Sequence, residues 1–436
     1  MIHHPNARIH SQQAFDFAYR GQNDNAMTEI SADARYLPDG PYAWFRLALA
    51  LIVSTFVGCG MWAVVVVLPD AQATFGVGRA EASIPYTATM LGFAFGTIFM
   101  GRMADRTGIV PPILIAGVCL GSGFVMAGYA QDIWVFSAAH LFLIGVGTGT
   151  GFAPMMADIS HWFVRQRGLA VVIVASGNYL AGAIWPLAMK VAMPMLGWRM
   201  TYVAIGVICA LTILPLAFLF RRRPSHEVMR QAEAATQIAR ADLGMSPAAL
   251  QTLLILAGFA CCVAMSMPQV HLVAYCGDLG YGTARGAEML SLMLFLGILS
   301  RIGSGLLADR VGGAATLLIG SIMQGTALVL YLFFNGLTSL YVISGIFGLF
   351  QGGIVPMYAV ICREFLPPRE AGARIGMVMA ATVFGMAFGG YISGVIYDVT
   401  QSYRLAFLNG VIWNLANLAI VAWLFMKRRK AEAAFA

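Results

Sequence analysis

Twelve uninterrupted apolar runs, each long enough to cross a bilayer as a helix, dictate what this chain can be. They lie at about 45–68, 83–103, 109–129, 133–156, 168–192, 200–220, 250–275, 287–308, 314–334, 338–360, 374–397 and 404–426. A bilayer-crossing helix needs about 20 apolar residues. Strands of a membrane barrel instead alternate over about ten residues, and these runs are continuous. Composition agrees: 59% of the chain is hydrophobic and 11% charged, against about 25% charged in a soluble protein. A soluble enzyme, a disordered chain and a disulfide scaffold are excluded.

The longest internal polar stretch, RRRPSHEVMRQAEAATQIARADLGMSP (221–247), falls between the sixth and seventh runs. The expected fold is therefore an all-α membrane protein of twelve transmembrane helices in two six-helix halves. The expected divisions are a disordered tail (1–44), a first bundle (45–220), a linker (221–249), a second bundle (250–426) and a short tail (427–436). The N-terminal stretch lacks the apolar core and cleavage site of a signal peptide. Met27 is an alternative start.

The surplus of 27 Lys+Arg over 20 Asp+Glu sets orientation rather than binding nucleic acid. If both ends are cytoplasmic, 21 Lys/Arg fall inside against Arg79, Arg199, Arg285 and Arg404 outside, with Lys190 and Arg301 within spans. Basic residues accumulate in cytoplasmic loops, so both termini are expected inside an inner, or plasma, membrane. The seven cysteines lie mostly in apolar runs without metal-ligand spacing and read as small buried hydrophobes. No phosphate-binding loop, nucleophile elbow or metal-binding His pair occurs. No catalytic residue, metal or cofactor is expected.

Two loops repeat. GRMADRTG (101–108) stands between runs two and three, and GLLADRVG (305–312) between runs eight and nine, 204 residues later. In each, a Gly precedes an Asp-Arg pair and a second Gly closes the turn, where φ > 0 costs least.

The most informative single residue is Arg301, inside the eighth run. Arg near a membrane helix centre costs about 2.5–3.5 kcal/mol on insertion scales and normally faces a bundle interior or wet cavity. Snorkelling and pairing with an acid are the alternatives. The residues after it are still apolar, and Asp70, Glu288 and Asp398 map near the far ends of their runs. A buried guanidinium without an acid suits a carboxylate, which it can bind with two oxygens. Gly297, Ser304 and Gly305 flank Arg301 on one helix face and are expected to leave room for a ligand. Asn178, Tyr179, Gln269, His271, Gln351 and Tyr358 are polar residues at depth and lesser candidates for the same site, while His140 reads as structural.

Twelve runs, a central linker and the doubled loop resemble the major facilitator superfamily over nearly the whole chain. That resemblance implies two halves related by an axis along the membrane normal, rocking around a site between them. It implies a latch in the loops: Gly101, Asp105 and Arg106, with Asp158 as partner, and Gly305, Asp309, Arg310 and Glu364 in the second half. PDGPYAWFR (38–46) and HWFVRQRGLAVVIVASGNYLAG (161–182) are similar to segments of the monocarboxylate transporter family. Arg301 matches that family's substrate-binding Arg. The family often has an acid at the position of Gly297 and a Lys at that of Trp62. The related oxalate/formate exchangers add a Lys in span eleven, which this chain lacks.

The resemblance implies a secondary active or facilitative transporter of a small organic monocarboxylate, working as a monomer in the bilayer. A coupled proton remains open, with His271 as its candidate carrier. An exporter of another organic anion or acidic drug is the alternative. A non-transporting membrane sensor is the alternative of another class, but the tails and linker hold no output domain.

Overall fold

The computed structural model describes residues 39–77, 84–223 and 244–434. The expected tail up to residue 38, including Met27, and linker residues 224–243 lie outside the described residues. So do the side chains of Lys190 and Asp398.

Twelve helices are long and apolar enough to cross a membrane. They are α1 (Pro41–Val67), α2 (Ile84–Thr107), α3 (Val110–Gly128), α4 (Ile133–Trp162), α5 (Arg167–Pro186) and α6 (Val191–Phe220), then α7 (Pro247–Leu272), α8 (Glu288–Val311), α9 (Gly313–Phe333), α10 (Leu337–Phe365), α11 (Pro368–Tyr397) and α12 (Tyr403–Lys427). All twelve apolar runs appear, and no strand occurs among the described residues. A helix satisfies its own backbone in lipid, which is why each run takes this form. The face that carries both Asp-Arg loops also carries the two ends of the linker. It is called the linker face below, and its opposite the far face.

The turn between the fifth and sixth spans falls within the gap left between the runs expected at 168–192 and 200–220. Helix continues from Gly177 to Ala217 through a kink at Gly197, whose φ of 71° and ψ of 162° are not helical. Only glycine takes that conformation at little cost, so the chain turns on one residue. Gly108 (φ 86°) and Gly312 (φ 89°) adopt the positive φ expected where the Asp-Arg loops close.

Several spans are broken. Helix α1 is interrupted at Gly58. Helix α4 carries a π segment at His140–Gly145 and a 3-10 turn at Gly149–Gly151. Helix α5 breaks at Ser176. Helix α10 breaks at Gly352–Gly353, between Leu337–Gln351 and Ile354–Phe365. Carbonyls beside a break lose their helical N–H partner and need another. Six cysteines are buried, Cys119 is partly so, and none is in a disulfide.

Candidate functional site

Arg301 projects from α8 and is 4% exposed. Its Nε donates to the carbonyl of Gly352 (3.1 Å), at the break in α10. Its Nη1 donates to the carbonyl of Ala175 (2.5 Å), at the break in α5. The Tyr179 ring covers the guanidinium, with Cζ 3.7 Å from the ring centroid. Ala175 and Tyr179 belong to the first half, Arg301 and Gly352 to the second. Arg301 therefore joins the halves, and it makes no ion pair among the described residues.

The small residues around Arg301 do not leave the expected open space. A Cβ on Gly305 would lie 2.5 Å from Val172 Cγ2 and 2.9 Å from Leu169 Cα. A Cβ on Gly353 would lie 2.0 Å from Ser304 Oγ, and one on Gly297 would touch Tyr179 at 3.6 Å. Small residues let membrane helices approach closely. Here they admit α5 and α10, and Tyr179 lies over the space beside Arg301.

The other polar candidates separate. Asn178 accepts from Trp62 Nε1 through its carbonyl (2.9 Å) and Oδ1 (3.3 Å), tying α5 to α1. Gln269 Nε2 donates to Gln351 Oε1 at 2.9 Å, tying α7 to α10 next to the Gly352 break. Ring nitrogen Nε2 of His271 lies 2.9 Å from the Gly390 carbonyl. Tyr358 is fully buried, and its hydroxyl donates to Asn417 Oδ1 (2.7 Å), whose amide donates to Ser321. That places Tyr358 in the interior of the second half, away from Arg301's partners, because its helix turns that face towards α9 and α12. His140 is buried between Thr89 and Tyr202.

At the linker face the repeat becomes a pair of matched contacts. Asp105 accepts from the N–H groups of Gly372 (2.7 Å) and Ala373 (2.8 Å), at the start of α11. Asp309 accepts from those of Gly168 (2.7 Å) and Leu169 (3.0 Å), at the start of α5. Each carboxylate thus caps a helix N-terminus of the opposite half, where orphan N–H groups and the helix dipole favour an anion. Gly372 follows Gly168 by the same 204 residues that separate Gly305 from Gly101. The glycines permit the contact: a Cβ on Gly101 would lie 2.2 Å from the Gly372 oxygen, and one on Gly168 would lie 2.9 Å from the Gly305 oxygen. The latch partners differ from expectation. Asp158 does not meet Asp105 but forms a two-pronged pair with Arg46, 2.8 Å at each prong. Glu364 accepts from Gly313 N–H at 2.9 Å, within its own half. Arg106 and Arg310 are exposed.

Sequence reasoning missed Arg46. It is 1% exposed, lies over the rings of Trp162 and Phe220, and donates to the carbonyls of Phe220 and Arg222. Asp39 accepts from the N–H groups of Val164, Arg165 and Gln166. Tyr42 packs edge-on against Trp162 at 5.1 Å. The segment entering α1 and the segment leaving α4 are therefore one clasp. The only advance signal was that both segments carried family-like motifs.

These features agree with comparisons to known proteins. The Major Facilitator Superfamily sequence model matches residues 50–341 and 290–436. Monocarboxylate transporter 13 of Bos taurus is 25% identical over 397 residues, covering 88% of this chain and 89% of that protein. The agnestins efflux protein of Paecilomyces divaricatus is 26% identical over 357 residues, covering 80% of each. The crystal structure of the E. coli fucose:proton symporter superposes with a TM-score of 0.69 at 13% identity, covering 88% of this chain and 99% of that one. The chain, a multi-pass membrane protein with twelve spans and a doubled Asp-Arg loop, belongs to the Major Facilitator Superfamily of transporters.

Proposed function

We propose that this transporter carries a small organic monocarboxylate by alternating access, with Arg301 as the ligand of the carboxylate. The observation that carries this reading is a guanidinium buried near mid-span with neutral carbonyls for partners and no acid among the described residues. Burying a charge is costly unless it is compensated, and a visiting carboxylate supplies that compensation. A single cation suits a monoanion. Similarity to monocarboxylate transporter 13 supports the same substrate class. Similarity to an efflux protein supports the second reading, export of a larger organic acid.

The 21-to-4 distribution of basic residues supports a cytoplasmic linker face in a plasma membrane. Asp105 and Asp309 are then the cytoplasmic gate, and the arrangement with both caps formed is the outward-facing one. Substrate would reach Arg301 from the far face, with Asn178, Gln269 and Gln351 as its polar surroundings. Gly297 and Trp62 supply no ionisable group beside Arg301. Exchange or facilitated movement of the anion is therefore the simplest coupling, with the protein working as a monomer.

The test is uptake of labelled carboxylates into proteoliposomes by wild type, Arg301→Ala and Arg301→Lys. The Ala variant should reach the membrane and lose uptake. The Lys variant should recover little, since a point charge lacks the planar fork. Wild-type uptake by Arg301→Ala would make Arg301 structural.

A further inference from the structure

A second arginine is sealed at the seam between the halves. Arg363, on the last turns of α10, is 2% exposed, and its Nε and Nη1 have no hydrogen-bond partner among the described residues. Buried polar groups are normally satisfied, and Arg46, equally buried, is fully engaged with Asp158, Tyr42 and two carbonyls.

The charged groups acting most strongly on Arg363 are Arg167, from the start of α5 in the other half, and Asp105. His161 feels both arginines, and its Nε2 lies 3.2 Å from the Pro368 carbonyl across the seam. Arg167 donates to the Phe163 carbonyl at 3.1 Å and has Glu364, Asp39 and Asp309 as acidic neighbours, so the unused donors are those of Arg363; the acids themselves accept elsewhere. Asp105 and Asp309 cap α11 and α5. Glu364 accepts from Gly313 N–H, Glu370 pairs with Arg374, and Asp39 accepts from residues 164–166. Arg167 lines one cleft together with Val360 and Glu364 of α10, so the two guanidinium groups come to the same part of the seam from opposite halves. The cleft is polar, about 270 Å³, and opens at the linker face, where Arg165, Arg310 and Asp309 also line it.

Like charges facing across an interface oppose its closure, and an anion between them reverses the sign. A guanidinium with unused planar donors is suited to a carboxylate. Arg363 lies eleven residues beyond Gly352, the residue whose carbonyl holds Arg301. At 1.5 Å per residue that is about 16 Å along α10, towards the linker face. We propose that Arg363 and Arg167 form a second, transient station for the transported carboxylate, on the linker-face side of Arg301. The station is covered while the seam is closed and is exposed when it opens. This inference rests on the carboxylate function proposed for Arg301.

The experiment compares Arg363→Gln and Arg363→Lys with wild type in vesicles of both orientations, using radiolabelled acetate, pyruvate and benzoate as probes. For Arg363→Gln the apparent KM at the linker face should rise about tenfold, the usual scale for losing one charged hydrogen-bonding partner. The far-face KM should stay unchanged, and Arg363→Lys should restore part of the loss. A changed maximal rate with unchanged KM on both faces would mean that Arg363 only strains the closed seam, and the station would be overturned. Equal KM shifts on both faces would overturn it too. If wild type carries none of the probes from either face, the Arg301 reading fails first and this inference falls with it.

Discussion

Removing the two capping carboxylates should open the linker face by an amount the geometry allows to be worked out. Asp105 and Asp309 each accept two backbone N–H bonds of 2.7–3.0 Å. A hydrogen bond to a charged group nets about 1.5–3 kcal/mol, and losing an N-cap costs about 0.5–2 kcal/mol. These bonds exist only while α2 meets α11 and α8 meets α5; on opening, water replaces them. About 2 kcal/mol per cap is a reasonable net value, or roughly a 30-fold shift in the closed-to-open ratio for Asp105→Ala. Asp105→Asn keeps one acceptor and should lose about half as much energy. The caps act on different helix pairs, so their effects should add, giving about a thousandfold for Asp105→Ala with Asp309→Ala. Spin labels at Val164 and Val311, exposed on opposite halves near the linker face, would read the distance distribution. The long-distance population should grow from wild type to single to double variant. Transport should slow while carboxylate binding at Arg301 persists. An unchanged distribution in the double variant would refute the claim that these caps hold the seam, and parallel loss of binding would give the loops another role.

The remaining predictions probe packing, coupling and orientation. Gly101→Val places a Cβ 2.2 Å from the Gly372 oxygen, so the linker face should fail to close, seen as persistent reagent access from that side; normal closure would show that the backbone contact is dispensable. His271→Gln keeps a donor for the Gly390 carbonyl but cannot titrate. Uptake should lose its pH dependence if His271 carries a proton, and an unchanged profile removes it as the coupling group. A reporter active only in the cytoplasm, fused at the C-terminus, should work; activity from a periplasm-only reporter there would invert the orientation.

Hydropathy and spacing made the fold legible. Each span needs about 20 apolar residues whatever it packs against, so its existence is local information. The turn between the fifth and sixth runs was legible as the gap 193–199, but the continuation of helix almost to the end of that gap and the turn on one residue, Gly197, were not. Arg301 stood out because charge in an apolar run is rare, yet its partners are backbone carbonyls, which have no letter in a sequence. The doubled Asp was readable as a repeat. Its targets were not, since backbone N–H groups at helix starts belong to every residue type. Asp158 was assigned to the wrong partner because sequence does not show which charged side chain lies beside it in space. Its true partner, Arg46, sat at the border of the first run and looked like a solvated loop residue.

The helix breaks explain how this chain keeps a charge at depth without a resident acid. A continuous α5 would commit the carbonyl of Ala175 to its own ladder, whereas the carbonyl of Gly352 has no ladder donor in any case, because residue 356 is Pro and lacks an N–H. The break in α5 and Pro356 in α10 leave two oxygens that point at one guanidinium from opposite halves. Two neutral acceptors hold the guanidinium in place without pairing its charge. An acid at position 297 would instead neutralise it. At position 297 a Cβ would stand in ordinary contact with the Tyr179 ring, at 3.6 Å. The same bond to Ala175 crosses the seam, so on the proposed function a carboxylate that drew the guanidinium away from it would also remove one tie between the halves. On that proposal binding and opening would share an atom, Nη1 of Arg301, and variants that mend the α5 break should impair both together.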